Sequence, residues 1–424
     1  MRFQTLNEWL SWQETLHPSE IELGLTRIQQ VFQRLQPHPP PFKLITVAGT
    51  NGKGSTVAML EAIYLAAGYR VASYTSPHLL RYNERIRLNG EEVDDETLVQ
   101  AFARVDENRA DVSLTYFEFG TLAALDIFYR QQPDIVILEV GLGGRLDAVN
   151  ILAADVSLVT NVALDHTDWL GEDREQIALE KAGVYRPGRA AIFNETDVPA
   201  SLMEYAKQKG IELLLTGRDY RCISGPNQWS FDGHYGSYHA LPEPVLVGEF
   251  QRQNACGCLM AVSCLKDTLP LSVTNIRTGL LAARNPGRMQ MIIGSPLQIL
   301  DVAHNPHAAI ALAKTLQQQP ALGRTRAVVA MLKDKDRLAV LAAMQSQVDA
   351  WYVASLDLPR GGSAEELSQY ISELQQQAPC QKYETVAKAY AAAYNDSAAE
   401  DRVVVFGSFH TVAEVMALQD NSAF

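Results

Sequence analysis

The segment ITVAGTNGKGST, Ile45 to Thr56, constrains this chain more than any other, because an apolar strand-like run breaks into glycines and a lysine and a helical pattern follows at once. Val57, Leu60, Ile63 and Tyr64 recur at helical spacing before Gly68 stops the run. Such a loop cradles phosphates: backbone N–H groups from Gly49 through Gly54 can point into one concavity, the helix N-terminus adds positive potential, and Lys53 supplies a point charge. Thr50, Asn51, Gly52, Lys53, Gly54 and Ser55 are therefore candidate contacts for a nucleotide. The pattern departs from the general phosphate loop in two places. Val47 stands five before Gly52 where a glycine is usual, and Gly54 separates Lys53 from Ser55.

A chain of 424 residues, 47% hydrophobic, is expected to hold two or three domains with substantial cores. Its formal charge of −13 argues against non-specific nucleic-acid binding, which needs clustered lysine and arginine, so anionic substrates must meet local positive sites. The opening MRFQTLNEWLSWQE lacks the charged start and apolar run of a signal peptide. No stretch approaches the ~20 apolar residues of a membrane helix, so a cytoplasmic protein is expected, with neither membrane nor nucleic acid as partner. Five cysteines do not suggest a disulfide framework, and Cys256, Cys258 and Cys264 read as buried thiols rather than zinc ligands.

Pro37, Pro39, Pro40 and Pro41 separate an N-terminal helical segment from a first strand over 43–47, since successive prolines cannot continue a helix. Apolar runs at 71–74, 134–138, 156–161 and 190–193 alternate with helix-like stretches, the mark of a mainly parallel sheet covered on both faces. Residues 221–245 suggest strands and turns. A second alternating series follows Asn285-Pro286-Gly287, with strands expected at 297–302, 327–331, 350–354 and 402–406. The fold class is α/β, in two domains spanning 1–285 and 286–424. A further chemical signal is Glu139, which leaves the strand 134–138. A carboxylate there, beside a phosphate loop, suits Mg²⁺.

GTNGKGS, Gly49 to Ser55, resembles the loop of the Mur-type ATP-dependent amide ligases, and within them the folylpolyglutamate synthases. ILEVGLGGRLDAVN, Ile137 to Asn150, resembles a second signature of that family, and at least six ordered motifs extend the resemblance from Glu22 to His410. It implies an N-terminal P-loop ATPase domain with a mainly parallel sheet and a folate site, plus a smaller C-terminal Rossmann-like, glutamate-binding domain. The implied reaction is ATP-dependent addition of L-glutamate to dihydropteroate and to reduced folates through an acyl phosphate. Narrower or neighbouring alternatives are addition to folates only, or a Mur-type ligase acting on a cell-wall precursor. Only about forty residues precede the first strand, too few for the extra domain such a precursor would need.

The resemblance also assigns residues. ATP with two Mg²⁺ ions would be met by the loop, by Asn254 in GEFQRQNA, Arg288 in NPGRMQ, and Asp301 and His304 in DVAHNPHA. Ser76 in YTSPHL, Glu139, His166 in NVALDHTDWLG, and a carbamylated Lys181 in LEKAGVY would hold the metals. Glu22, Leu23, Gly24 and Leu25 of ELGLTRI, Thr115 and Phe117 of TYFEFGT, and Arg145 with Asp147 would form the folate site, one of Phe117 and Phe119 being ascribed to packing. His304 and Ser408, the latter in GSFH, would take glutamate. Lys53, Lys181, Arg288 and His304 are the catalytic candidates. A monomer is expected, because the family's active cleft forms between domains of one chain.

Overall fold

A computed structural model describes residues 2–19, 21–225, 228–374 and 378–420. Gln375–Gln377, a glutamine run too brief to count as low complexity, lies outside them. Contacts divide the chain into two units: residues up to Val245 with Arg252–Arg284, and Leu246–Gln251 with the residues from Asn285 onward. Among the described residues no helix is long and apolar enough to cross a membrane.

In the first unit the helices Leu6–Leu16 and Thr26–Leu35 precede a sheet of eight strands: β1 (Lys43–Ala48), β2 (Val71–Tyr74), β3 (Ile86–Leu88), β4 (Glu91–Glu92), β5 (Ile135–Glu139), β6 (Val156–Val159), β7 (Ala190–Phe193) and β8 (Leu213–Leu215). Their order is β4-β3-β2-β5-β1-β6-β7-β8. From β2 to β8 neighbours run parallel, and β3 and β4 add antiparallel pairs at one side. Every residue of β5 is buried; since successive side chains point to opposite faces, both faces of that strand are covered. Glu139 is the last residue of β5, so the expected strand is one residue out of register at each end. The helical pattern after the glycines becomes the helix Lys53–Ala66, which buries Val57, Leu60, Ile63 and Tyr64.

The stretch read as strands and turns forms an antiparallel sheet of β9 (Tyr220–Ser224), β10 (Trp229–Gly233) and β11 (Gly236–Leu241), anchored by buried Trp229 and Phe231. Cys256 and Cys258 on the helix Glu249–Cys264 are buried thiols.

The second unit holds β12 (Gln290–Ile292), β13 (Leu297–Leu300), β14 (Thr325–Val329), β15 (Ala350–Ala354), β16 (Cys380–Tyr383) and β17 (Arg402–Phe406), in the order β12-β13-β17-β14-β15-β16. Only β12 pairs antiparallel. The helix Pro306–Gln318 starts where the sequence signals it: Asn305 Oδ1 accepts the Ala308 N–H at 2.9 Å and proline occupies the first turn, where its missing N–H has no helical partner to lose.

Candidate functional site

Because β1, β2, β5 and β6 are parallel, the loops leaving their carboxyl ends share one edge of the sheet, the place where open parallel sheets take ligands. β1 turns into the helix Lys53–Ala66 through Gly52, whose φ of 84° favours glycine. A Cβ there would also lie 2.6 Å from Asn254 Oδ1, so Asn254, which belongs to the first unit, is pressed against the loop. At Gly49 an added Cβ would fall 1.8 Å from Thr160 Oγ1.

Thr160 and Asn161, at the end of β6, set the shape of this loop. The Thr160 hydroxyl donates to Asn51 O at 2.6 Å, the Thr50 N–H to Asn161 O at 3.0 Å, and the Asn51 N–H to Asn161 Oδ1 at 3.0 Å. Two of the N–H groups expected to face phosphate, those of Thr50 and Asn51, are therefore spent on Asn161. Lys53 Nζ folds back over the loop, donating to Gly49 O at 3.0 Å and Thr50 O at 3.1 Å. Ser55 is buried in the first turn.

Glu139 is paired in register with Val47 and is buried at the same edge. Its Oε2 accepts the Ser76 N–H at 3.3 Å, which makes these two metal candidates neighbours. His166 takes φ 52° at the start of the short helix Thr167–Leu170, its Nε2 3.9 Å from Asp165 Oδ1. Among the described residues no three His, Cys, Asp or Glu side chains gather closely enough to hold a metal by themselves.

Asp147 and Lys181 are both buried here. Asp147 Oδ2 accepts the Leu142 N–H at 2.8 Å and Oδ1 the Val149 N–H at 3.0 Å, which ties the Gly141–Gly144 loop to the carboxylate. Burial pushes its pKa up to about 6, against those hydrogen bonds and the charge of Lys53. Burial, aided by Lys53, pushes the Lys181 ammonium down to about 7, against the attraction of Asp165 and Asp147. Lys53, Asp147, Asp165 and Lys181 thus form one electrostatically linked set, and Asp165 is a member that sequence reasoning passed over beside His166.

Arg145 does not pair with Asp147. Its N–H donates to Glu180 O at 2.7 Å and its Nη2 to Glu180 Oε1 at 2.8 Å, binding the glycine loop to the helix Arg174–Ala182 that carries Lys181. Gly144 permits that approach, since a Cβ there would lie 2.9 Å from Glu180 O. Glu22 faces His17 and Arg27, with Oε2 2.9 Å from His17 Nε2. Leu23, Gly24 and Leu25 lie in the loop before Thr26–Leu35, with open space beside Gly24. Thr115 caps the helix Tyr116–Gln131, its hydroxyl accepting the Glu118 N–H at 3.2 Å. Phe117 stacks on Tyr74 and lies under Gly141, whereas Phe119 packs into the core against Trp9 and Trp12.

The candidates of the second unit follow β13 and β17, apart from Arg288, which precedes β12. Asp301, buried, accepts the Met289 N–H through Oδ2 and the Ala303 N–H through Oδ1, each at 2.8 Å. Burial raises its pKa against the charge of Arg288 and these bonds. Arg288 lies 5.4 Å above the Phe409 ring, and His304, with Nδ1 2.9 Å from Val302 O, packs against the same ring. Ser408 Oγ meets Thr411 Oγ1 at 2.6 Å and accepts the Thr411 N–H. Phe409, which joins these residues, was flagged in the sequence only as part of GSFH.

Residues 47–262 match the Mur ligase middle domain, and residues 287–409 the Mur ligase, glutamate ligase domain. The chain belongs to the Mur ligases. It is 46% identical, over 98% of its length and 96% of the relative's, to the dihydrofolate synthase/folylpolyglutamate synthase of Escherichia coli K12. The structure of E. coli FolC with DHPP and ADP superposes with a TM-score of 0.94 at 45% identity, covering 99% of each chain. A bifunctional folylpolyglutamate synthase/dihydrofolate synthase with Mn, AMPPNP and L-glutamate bound gives a TM-score of 0.90 at 46% identity, covering 98% of each. Within the Mur ligases, this chain is a member of the dihydrofolate synthase/folylpolyglutamate synthase family.

Proposed function

We infer that the chain is an ATP-dependent ligase that joins L-glutamate to the carboxylate of dihydropteroate and of reduced folates. The observation that carries this reading is the glycine loop where a parallel strand meets a helix, with Lys53 Nζ folded over it and Glu139 beside Ser76 at the same sheet edge. A carboxylate is a poor electrophile, and its charge repels both ATP and an amine. Transfer of the γ-phosphoryl group to a carboxylate oxygen releases ADP and removes both obstacles. The α-amine of glutamate then attacks the acyl carbon, phosphate leaves, and an amide remains.

We assign the helix start from Gly52 to Ser55, with Asn254, to the nucleotide, and Lys53 to the transferring phosphoryl group, where fixed positive charge lowers the barrier most. In the second unit Arg288 and Asp301 are assigned to the nucleotide, and His304 and Ser408 to glutamate. Glu139 and Ser76, neighbours through the Ser76 N–H, carry oxygens of the kind Mg²⁺ selects, so these residues fit a divalent ion. Bound there, the metal supplies neutralisation of phosphate charge. The Lys181 environment supports carbamylation: near neutral pH much of the amine is uncharged and able to attack CO₂, and Lys53 stabilises the anion that results. The carbamate, with His166, would complete a second metal site, which unmodified side chains among the described residues do not form. Asp147, Arg145, Phe117, Thr115 and the Glu22–Leu25 loop are assigned to the pterin end of the acceptor. We place this activity in the cytoplasm and in a monomer, since ATP, folates and glutamate are cytoplasmic solutes and one chain carries every assigned group.

The test is purified protein with ATP, Mg²⁺ and labelled glutamate, offered dihydropteroate and tetrahydrofolate separately. Label should enter both products. ATP turnover without amide formation would refute the ligase, and extension of tetrahydrofolate alone would restrict it to polyglutamylation.

A further inference from the structure

Arg85 is a strong charge in the first unit that the reaction, as assigned above, leaves unused. Its residue is 9% exposed, yet among the described residues no carboxylate pairs with it. Burying a guanidinium without a counter-charge is costly, and such a group normally has an anion or a hydrogen-bonded network to meet it. Here Nε donates to His78 Nδ1 at 2.8 Å, a neutral acceptor in that tautomer. The guanidinium carbon sits 5.2 Å from the Tyr82 ring centre and 5.6 Å from that of Tyr116. Aromatic faces attract a cation but do not neutralise it.

The position of this cation bears on the chemistry. Arg85 O accepts the Thr75 N–H at 2.9 Å, one residue before Ser76, whose own N–H is bonded to Glu139. Tyr116, one of the two rings against the guanidinium, directly precedes Phe117, which stacks on Tyr74 beneath Gly141. Arg85 is thus tied through its backbone to the strand end that leads into Ser76, while its guanidinium lies against Tyr116, which stands between Thr115 and Phe117, both assigned to the pterin. An acceptor held by those residues at its pterin end carries its negative charge at the other end, as an aryl carboxylate or its glutamyl extension.

We propose that Arg85 binds and orients the carboxylate of the acceptor, with Tyr82 and Tyr116 beside it. A planar guanidinium can take both oxygens of a carboxylate, which fixes the direction of the group as well as its charge. It also lets two anions, carboxylate and ATP, approach one another. The inference rests on the acceptor reading given above.

Calorimetry separates the two. Dihydropteroate and its carboxamide counterpart, which lacks the charge but keeps the rings, are titrated into wild type and Arg85→Gln in the presence of AMPPNP. Wild type should prefer the carboxylate by about 10- to 100-fold, the range of a charge-assisted pair. Arg85→Gln should lose that preference, while its affinities for the carboxamide and for AMPPNP stay within about twofold of wild type. Equal weakening of both acceptors in the variant overturns the proposal and leaves Arg85 a structural residue, and loss of AMPPNP affinity alone assigns it to the nucleotide instead. If Arg85→Gln does not fold, the wild-type ratio still decides: no preference for the carboxylate overturns the proposal. A wild-type protein that binds neither compound overturns the acceptor reading, and this inference with it.

Discussion

Asp147 in the first unit and Asp301 in the second are the same device with different support. Each follows the carboxyl end of a strand, is buried, and holds a loop by accepting two backbone N–H groups. Burial raises the pKa of both. The opposing influences rank differently: backbone hydrogen bonds come first for Asp147, with Lys53 behind them, whereas the Arg288 guanidinium comes first for Asp301. A carboxylate held mainly by N–H groups shapes its loop whether or not the nearby cation is occupied elsewhere. Lys53 is a minor support of its neighbouring carboxylate, while Arg288 is the leading one for Asp301.

The sharpest way to break that contrast is Lys53→Ala. If Lys53 is reserved for phosphate, its removal should cut amide formation by roughly a thousandfold and leave the unfolding midpoint nearly unchanged. Turnover close to wild type, with folding verified by circular dichroism, would remove Lys53 from the chemistry. Arg288→Ala should also lower turnover, but with a measurable loss of stability, since the Asp301 carboxylate is left buried without its cation.

The glycines after β1 and β17 give the next comparison. Gly49 has φ 141° and would place a Cβ 1.8 Å from Thr160 Oγ1; Gly407 has φ 113° and would place one 2.6 Å from Ala330 O. Alanine at either should cost about 1–3 kcal/mol of stability from backbone strain alone, with the steric overlap added. Gly49→Ala should in addition abolish nucleotide binding, because the loop cannot keep its seat on Thr160. Nucleotide binding that survives Gly49→Ala would show that the Thr160 brace does not shape the site.

The strands and the phosphate loop were legible because apolar runs of four to six residues bounded by Gly, Pro and Asp carry their own pattern. Strands 71–74, 190–193, 350–354 and 402–406 were read at their observed bounds. Thr160 and Asn161 were not legible as braces, because their role depends on β6 lying beside β1, in the register Ala48 to Val159. No local period encodes which strands become neighbours. Asn254 is similar: its motif was visible, but its seat against Gly52 comes from how a helix far along the chain packs. Arg85 escaped notice because a burial without a carboxylate partner is a property of the fold, not of the segment that carries it.

The two aspartates also predict a pH signature. The folded pKa of Asp147, about 6, lies above the ordinary 3.8, so the folded state holds its proton more tightly than the unfolded chain does. Its contribution to stability is therefore complete below about 4 and is lost as pH rises through about 6, a fall of about 3 kcal/mol. In denaturant unfolding across this window, the stability of wild type relative to Asp147→Asn should fall as pH rises. Asp301→Asn should behave with the same sign. Combining each with loss of its cation sharpens the comparison: Arg288→Ala should steepen the pH dependence due to Asp301 more than Lys53→Ala steepens that due to Asp147. Equal steepening would mean that both carboxylates lean on their cations alike.

The smallest effects belong to two exposed ion pairs. Arg145 Nη2 lies 2.8 Å from Glu180 Oε1 in the first unit, and Arg360 Nη2 lies 2.7 Å from Asp334 Oδ2 in the second; each arginine side chain is about half exposed. Pairs of this kind contribute roughly 0–1 kcal/mol, because water screens the charges and both side chains lose freedom in pairing. Alanine at either position should therefore leave the unfolding midpoint almost where it was. Their functional consequences should differ. Arg145 also binds the Gly141–Gly144 loop to the helix of Lys181 through its backbone, a contact that the alanine variant keeps, so any change in acceptor use reports on the side chain itself. Arg145→Ala should raise the KM for dihydropteroate several-fold with little change in that for ATP, and Arg360→Ala should leave the dihydropteroate KM alone. A loss of stability well beyond 1 kcal/mol in Arg145→Ala would make the residue a structural clamp, whereas an unchanged KM would remove its side chain from the acceptor site.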